Sequence, residues 1–203
     1  MFRILTLLLL LPALACAQAT DETFEAALLQ MKTGALLVFN GSQHAFSVQF
    51  TGQVTPSERP GFLSLNGQLM QAATVGYGSN GDVSDLPEDT QKKFLIGYQQ
   101  HESAYVRHEL KVPVAHEKTA FVRYGNHLFL SWEYDTPFRN KNKVQRQLYL
   151  VAICFNQALV LNCPLAKLTD AAPAQALLAA VASTLTLRDA PVDLTKLYKE
   201  LQK

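Results

Sequence analysis

The sequence predicts an α+β fold, a three-layer sandwich in which a central antiparallel sheet carries helices on both faces. Residues 148–155 (Leu-Tyr-Leu-Val-Ala-Ile-Cys-Phe) and 159–161 (Leu-Val-Leu) are apolar on both faces, whereas a strand with one wet face alternates. The turns that join such strands are short (Asn40-Gly41, Asn66-Gly67, Gly125-Asn126, Asn156-Gln157), so neighbouring strands are antiparallel. Two long helical patterns, over residues 85–110 and 170–185, supply a cover for each side.

The first element is an export signal over residues 1–19. Arg3 gives a positive start, residues 4–14 are almost wholly apolar, and small residues follow at Ala13, Ala15, Ala17 and Ala19. The apolar run is shorter than the roughly 20 residues a spanning helix needs. Ala15-Cys16-Ala17 fits cleavage before Gln18, and Ala17-Gln18-Ala19 fits nearly as well. Alternatively, Ala13-Leu14-Ala15-Cys16 is read as a lipobox, with Cys16 the lipidated residue. Either route places the mature protein outside the cytoplasm, periplasmic or secreted, or lipid-anchored through Cys16. Residues 20–203 suit a single domain.

Residues 21–32 read as a helix, with Phe24, Leu28 and Met31 on one stripe and Gly34 at its end. Strands follow over residues 36–39, 45–50, 62–65 and 69–77, with loops over 56–61 and 76–84. Asp85 is placed to cap the central helix, Pro87 fits its first turn, and Glu88 and Asp89 complement the dipole. Residues 119–124 and 127–134 form the next hairpin. The basic loop 137–143 leads to the long strand 144–155 and its partner 158–163. The Ala- and Leu-rich helix 170–185 and an amphipathic helix over 193–202 close the chain.

Cys154 and Cys163 survive export, and an oxidising compartment permits pairing. In a hairpin turning at Asn156-Gln157, Cys154 faces Leu159 and Cys163 faces Leu150. The thiols are then four residues apart, about 13 Å at strand rise, beyond the roughly 7 Å between α-carbons that a disulfide tolerates. Two buried free thiols are expected.

The order of sheet strands, central helix, meander and a last strand leading into a helix ending in Ser183-Thr184-Leu185-Thr186-Leu187 resembles the PsbP-like fold. The likeness covers roughly residues 45–187. The stretch Leu130-Ser131-Trp132-Glu133-Tyr134-Asp135-Thr136-Pro137, with Gln147-Leu148-Tyr149-Leu150, also resembles exported bacterial proteins of that architecture. The PsbP-like fold serves an extrinsic subunit of photosystem II and a Ran-binding nuclear import factor. The resemblance implies protein binding and carries no catalytic motif.

With 18 Lys and Arg against 17 Asp and Glu, the chain lacks the basic excess of a nucleic-acid binder. His101-Glu102 and His108-Glu109, with His116-Glu117 beyond, suggest a metal site. The first two histidines are about 10.5 Å apart along a helix axis, too far to clasp one ion. Gly76-Tyr77-Gly78-Ser79-Asn80-Gly81 matches a dinucleotide fingerprint, but Asp82, Asp85 and a proline separate it from the helix, and export removes the nicotinamide pool. No Gly-x-Ser-x-Gly elbow is present. No cofactor and no metal are expected.

The favoured binding residues are Trp132, Glu133, Tyr134 and Asp135 at a strand end, with Arg139, Lys141 and Lys143 of the basic loop, Arg146 lying near. Glu133 alternates with core candidates, and a buried carboxylate needs a partner such as an Arg or Tyr, unless it lines a pocket. The leading reading is an exported, non-enzymatic protein-binding or scaffold domain at the bacterial cell envelope, with an envelope protein as partner and a membrane only if Cys16 is lipidated. The alternatives are a hydrolase or metal-dependent enzyme built around Glu102, His108 and Glu133, or a carrier of a small apolar ligand.

Overall fold

A hairpin replaces the first predicted helix. The computed structural model describes residues 22–59, 61–76, 82–136 and 144–203. Within them β1 (Glu25–Met31) pairs with β2 (Gly34–Asn40), Leu28 opposite Leu37 and Leu29 opposite Leu36. Phe24 and Leu28 pack on the main core from this arrangement, and that tertiary gain outweighs the local helical spacing. Gly34 has the positive φ expected of it, 104°, but turns a hairpin instead of ending a helix. A Cβ there would fall 1.9 Å from the Phe50 carbonyl oxygen, so only glycine fits.

The remaining elements are β3 (Ala45–Phe50), β4 (Val54–Pro56), β5 (Phe62–Leu65), β6 (Gln68–Gly76), α1 (Glu88–His108), β7 (Ala115–Tyr124), β8 (His127–Asp135), β9 (Arg146–Cys154), β10 (Gln157–Leu165), α2 (Ala171–Ala182), β11 (Thr186–Arg188) and α3 (Leu194–Leu201). They form a mixed α+β structure with two antiparallel sheets. The smaller runs β1-β2-β3-β11 and the larger β4-β5-β6-β10-β9-β8-β7. The expected last core helix is shorter than residues 170–185. Thr184 leaves it to bond the backbone N–H of Gln49 through its hydroxyl, and Thr186 then pairs with Ser47. The helix α1 begins after Pro87, not Asp85, with Glu88 and Asp89 in its first turn and Arg107 and His108 in its last. Asp193 caps α3 by accepting from the Lys196 N–H.

The β9–β10 hairpin turns one residue earlier than predicted. Cys154 faces Gln157 and Cys163 faces Leu148, so Phe155 and Asn156 make the turn and Phe155 takes φ 58°. Contacts from outside the hairpin hold it there: the His44 ring stacks on Phe155 at 4.2 Å, and Asn156 Nδ2 donates to the Glu22 carbonyl. The two-residue shift preserves which face each side chain occupies and moves the cysteines further apart. Both are free and buried, and burial pushes the Cys163 thiol up to about 12 and the Cys154 thiol higher still.

Strand alternation divides the larger sheet between two cores. Leu130, Val151, Ile153, Ala158 and Val160 gather with Leu95 of α1. Their neighbours in sequence, Phe129, Leu150, Ala152, Leu159 and Leu161, gather with Leu178 and Val181 of α2 and with Phe46 and Val48 of β3. Alternate side chains of β9 and β10 thus enter two different cores, one containing Leu95 of α1 and the other Leu178 of α2, which is why both strands are apolar throughout. Among the described residues no helix is long and apolar enough to cross a membrane.

Candidate functional site

The candidate strand end is where β7, β8 and β9 finish together. Asp135 is opposite Arg146, Trp132 opposite Tyr149, and Lys118 opposite Glu133. A register shift between Ala115 and Lys118 interrupts β7, and within it His116 has φ 51°. That bulge re-aims two consecutive side chains.

Trp132 is 1% exposed, and its ring stacks on Tyr149 at 4.6 Å with Tyr134 at 5.0 Å. Val106 of α1 completes this small cluster. The indole N–H donates to Glu117 Oε1 at 2.9 Å, and the same oxygen accepts from Gln99 Nε2 at 2.7 Å and Ser103 Oγ at 2.9 Å. Arg107 pairs with Oε2. One carboxylate thus ties two turns of α1 to the strand end, and every donor facing it is satisfied. Tyr134 and Tyr149 approach through their hydroxyls at 3.4 Å, and burial raises the pKa of both phenols.

Glu133 and Asp135 are also internally engaged. Glu133 lies on the α2 side, where Oε2 accepts from Gln175 Nε2 at 3.1 Å and Oε1 is 3.3 Å from Lys118 Nζ. Its partners are a lysine and a glutamine where an Arg or Tyr was expected, and it also borders a small pocket beside α2. Asp135 accepts from Arg146 Nε at 2.6 Å and Nη2 at 3.2 Å, and from His116 Nδ1 at 3.0 Å. The Arg146 hydrogen bond, with His116 adding to it against the opposing effect of burial, holds the Asp135 carboxyl below its usual value. Asp135 in turn raises Arg146.

The seven predicted binding residues are therefore divided. Trp132 and Tyr134 are buried under α1, Glu133 points the opposite way, and Asp135 joins Arg146 and His116 at the rim. Arg139, Lys141 and Lys143 lie outside the described residues, as does most of the 76–81 glycine loop. The enzymatic trio does not converge. Glu102 and His108 stand on α1, while Glu133 faces α2 across the sheet. Among the described residues no three His, Cys, Asp or Glu side chains are grouped to hold a metal ion.

The sequence pattern does not single out Glu117, the carboxylate that organises the site, because it predicts a strand only from residue 119 and carries no sign of the bulge before it. The one available signal was the lone tryptophan, whose indole N–H needs an acceptor when buried. No known protein family, curated protein or solved structure matches the chain.

Proposed function

We propose that this chain is an exported, non-enzymatic binding domain of PsbP-like, three-layer architecture that engages an acidic surface of another envelope protein. The observation carrying the reading is the occupancy of the strand-end acids. Glu117, Glu133 and Asp135 each bond internal partners, so none is left as a free base or nucleophile beside a second catalytic group. Beside them Lys118 presents an ammonium group on a side chain that is 71% exposed. Arg139, Lys141 and Lys143 follow in the same part of the sequence. A positive rim over a rigid, saturated base suits steering of an acidic partner. The division of β9 and β10 side chains between the cores of α1 and α2 supports the layered reading.

The test uses charge reversal, because Trp132 is core and its removal would disturb the fold. Wild type is compared with a Lys118→Glu, Arg139→Glu, Lys141→Glu, Lys143→Glu variant in affinity capture from native envelope extract at low and high salt. A specific acidic protein retained by wild type, released by salt and lost by the variant is expected. Capture that is absent from wild type, or unchanged by the reversal, overturns the proposal.

A further inference from the structure

The larger sheet is wider than the helix that covers it. The principal sheet contacts of α1 are with β8 and β9, while β6 lies beyond β10. Val75 pairs with Ala158, a member of the core beneath Leu95, so Val75 and Leu69 lie on the α1 side of the sheet, exposed at 38% and 40%. The step between helix and uncovered sheet is a groove of about 530 Å³, within the usual range for small-molecule sites.

Gly97 sits in the middle of this groove wall and has no structural reason to be glycine. It is interior to a 21-residue helix, its φ is not positive, and a Cβ built on it meets nothing within 4 Å. Glycine there weakens the helix relative to alanine. Gly76, also on the groove, likewise lacks a positive φ, and a Cβ on it meets only the Gln157 amide at ordinary contact distance. The space is therefore left open by two residues without side chains, and no contact among the described residues demands it.

The flanking chemistry identifies an occupant. Lys93, Gly97 and His101 follow one another at helical spacing along the wall, with Phe94, Tyr98 and Glu102 on the adjoining row. Neither Lys93 nor His101 forms an ion pair among the described residues. These two basic groups bracket the Gly97 notch over about 12 Å of helix, with two aromatic rings beside it.

We propose that this groove binds a small planar aromatic acid, its ring seated in the Gly97 notch against Phe94 and Tyr98, its anionic group held by Lys93 at one end, and His101 at the other end beside Glu102. Glu102 accepts from a hydroxyl or amine at the far end of the ligand. The site is separate from the strand-end surface and stands or falls independently of it.

The probe is 8-anilinonaphthalene-1-sulfonate, a planar aromatic sulfonate, titrated by fluorescence into the purified folded protein. One saturable site is expected. Gly97→Leu fills the notch and should weaken binding at least tenfold while the thermal midpoint holds or rises. Gly97→Ala should weaken it less and also stabilise the helix. Lys93→Ala should lower affinity several-fold and reduce its salt dependence. Absence of saturable binding, equal binding by Gly97→Leu, or equal displacement by dodecanoate, which is anionic but not planar, overturns the proposal.

Discussion

Replacing Glu117 with leucine tests the account of the strand end most directly. The substitution removes the acceptor shared by Trp132, Gln99 and Ser103 and the counter-ion of Arg107. Those three donor residues are 1%, 8% and 7% exposed, so they recover little hydration after the change. A hydrogen bond to a charged acceptor contributes about 1.5–3 kcal/mol. The simple sum for three is an upper limit, because the donors share one oxygen and Arg107 gains freedom in water. A loss of about 3–5 kcal/mol is expected, in line with breaking a buried charged network. At the scale of 150–250 residues this lowers the thermal midpoint by about 6–20 °C. Urea unfolding of Glu117→Leu, Trp132→Phe and the double variant separates the contributions. Trp132→Phe keeps a ring against Tyr149 but loses the N–H, and its cost should overlap that of Glu117→Leu, giving a coupling of about 1–2 kcal/mol. A Glu117→Leu loss below about 1 kcal/mol, or strict additivity, refutes the keystone role.

Three further outcomes follow from the same geometry. Gly34→Ala should cost at least about 2 kcal/mol, because it adds a clash with Phe50 to an unfavourable φ. Gly67→Ala, at φ 84° with nothing within 4 Å, should cost less, and equal losses in urea denaturation would remove the clash argument. Asp135 has a depressed folded-state pKa, so its contribution is fully present above the ordinary carboxyl value near pH 4 and is lost as pH falls through the folded value. Asp135→Asn should therefore be less stable at neutral pH and show a shallower acid loss; an unchanged acid profile contradicts the pairing. Cys154 and Cys163 should resist a thiol reagent such as dithionitrobenzoate in the folded protein and react fully in denaturant. Rapid labelling of the native protein would show that the cores are open.

Elements whose pattern answers to local chemistry were legible in the sequence. The acidic first turn of α1, the Asn66-Gly67 and Gly125-Asn126 turns and the doubly apolar β9–β10 pair all reappear. The misreadings share a cause outside the segment concerned. Residues 25–31 have helical spacing, but β2 offers them a pairing partner, and Phe155 accepts a left-handed φ beneath His44. The small sheet also depends on β11, a three-residue strand that no periodicity distinguishes from the end of a helix. At the site, alternation correctly separated Trp132 and Tyr134 from Glu133. It gave no access to Glu117, whose role arises from a bulge and from donors on α1.

The two ends of β9 also decide how an anchored form would present itself. Glu22 is fixed at the turn end: its carboxylate accepts from the Gln43 and His44 N–H groups and from His44 Nδ1, while its carbonyl accepts from Asn156 and Gln157. Burial would raise this carboxyl, but the His44 and backbone hydrogen bonds outweigh it and lower the pKa. If Cys16 carries lipid, the six Cα–Cα steps from it to Glu22 reach at most about 22 Å, so the bilayer lies within that distance of the turn. The Asp135–Arg146 pair is at the other end of the nine-residue β9, about 27 Å away, and the basic loop departs from there. A membrane holding the lipid would then lie nearer the turn end of β9 than the Asp135–Arg146 end, and on the proposed protein-binding reading the basic residues add nothing to bilayer attachment. Vesicle sedimentation of the lipidated protein, with and without phosphatidylserine, should show no effect of Arg139→Glu, Lys141→Glu and Lys143→Glu together. A loss of binding confined to phosphatidylserine vesicles would instead place the rim on the membrane and defeat the argument from the two ends.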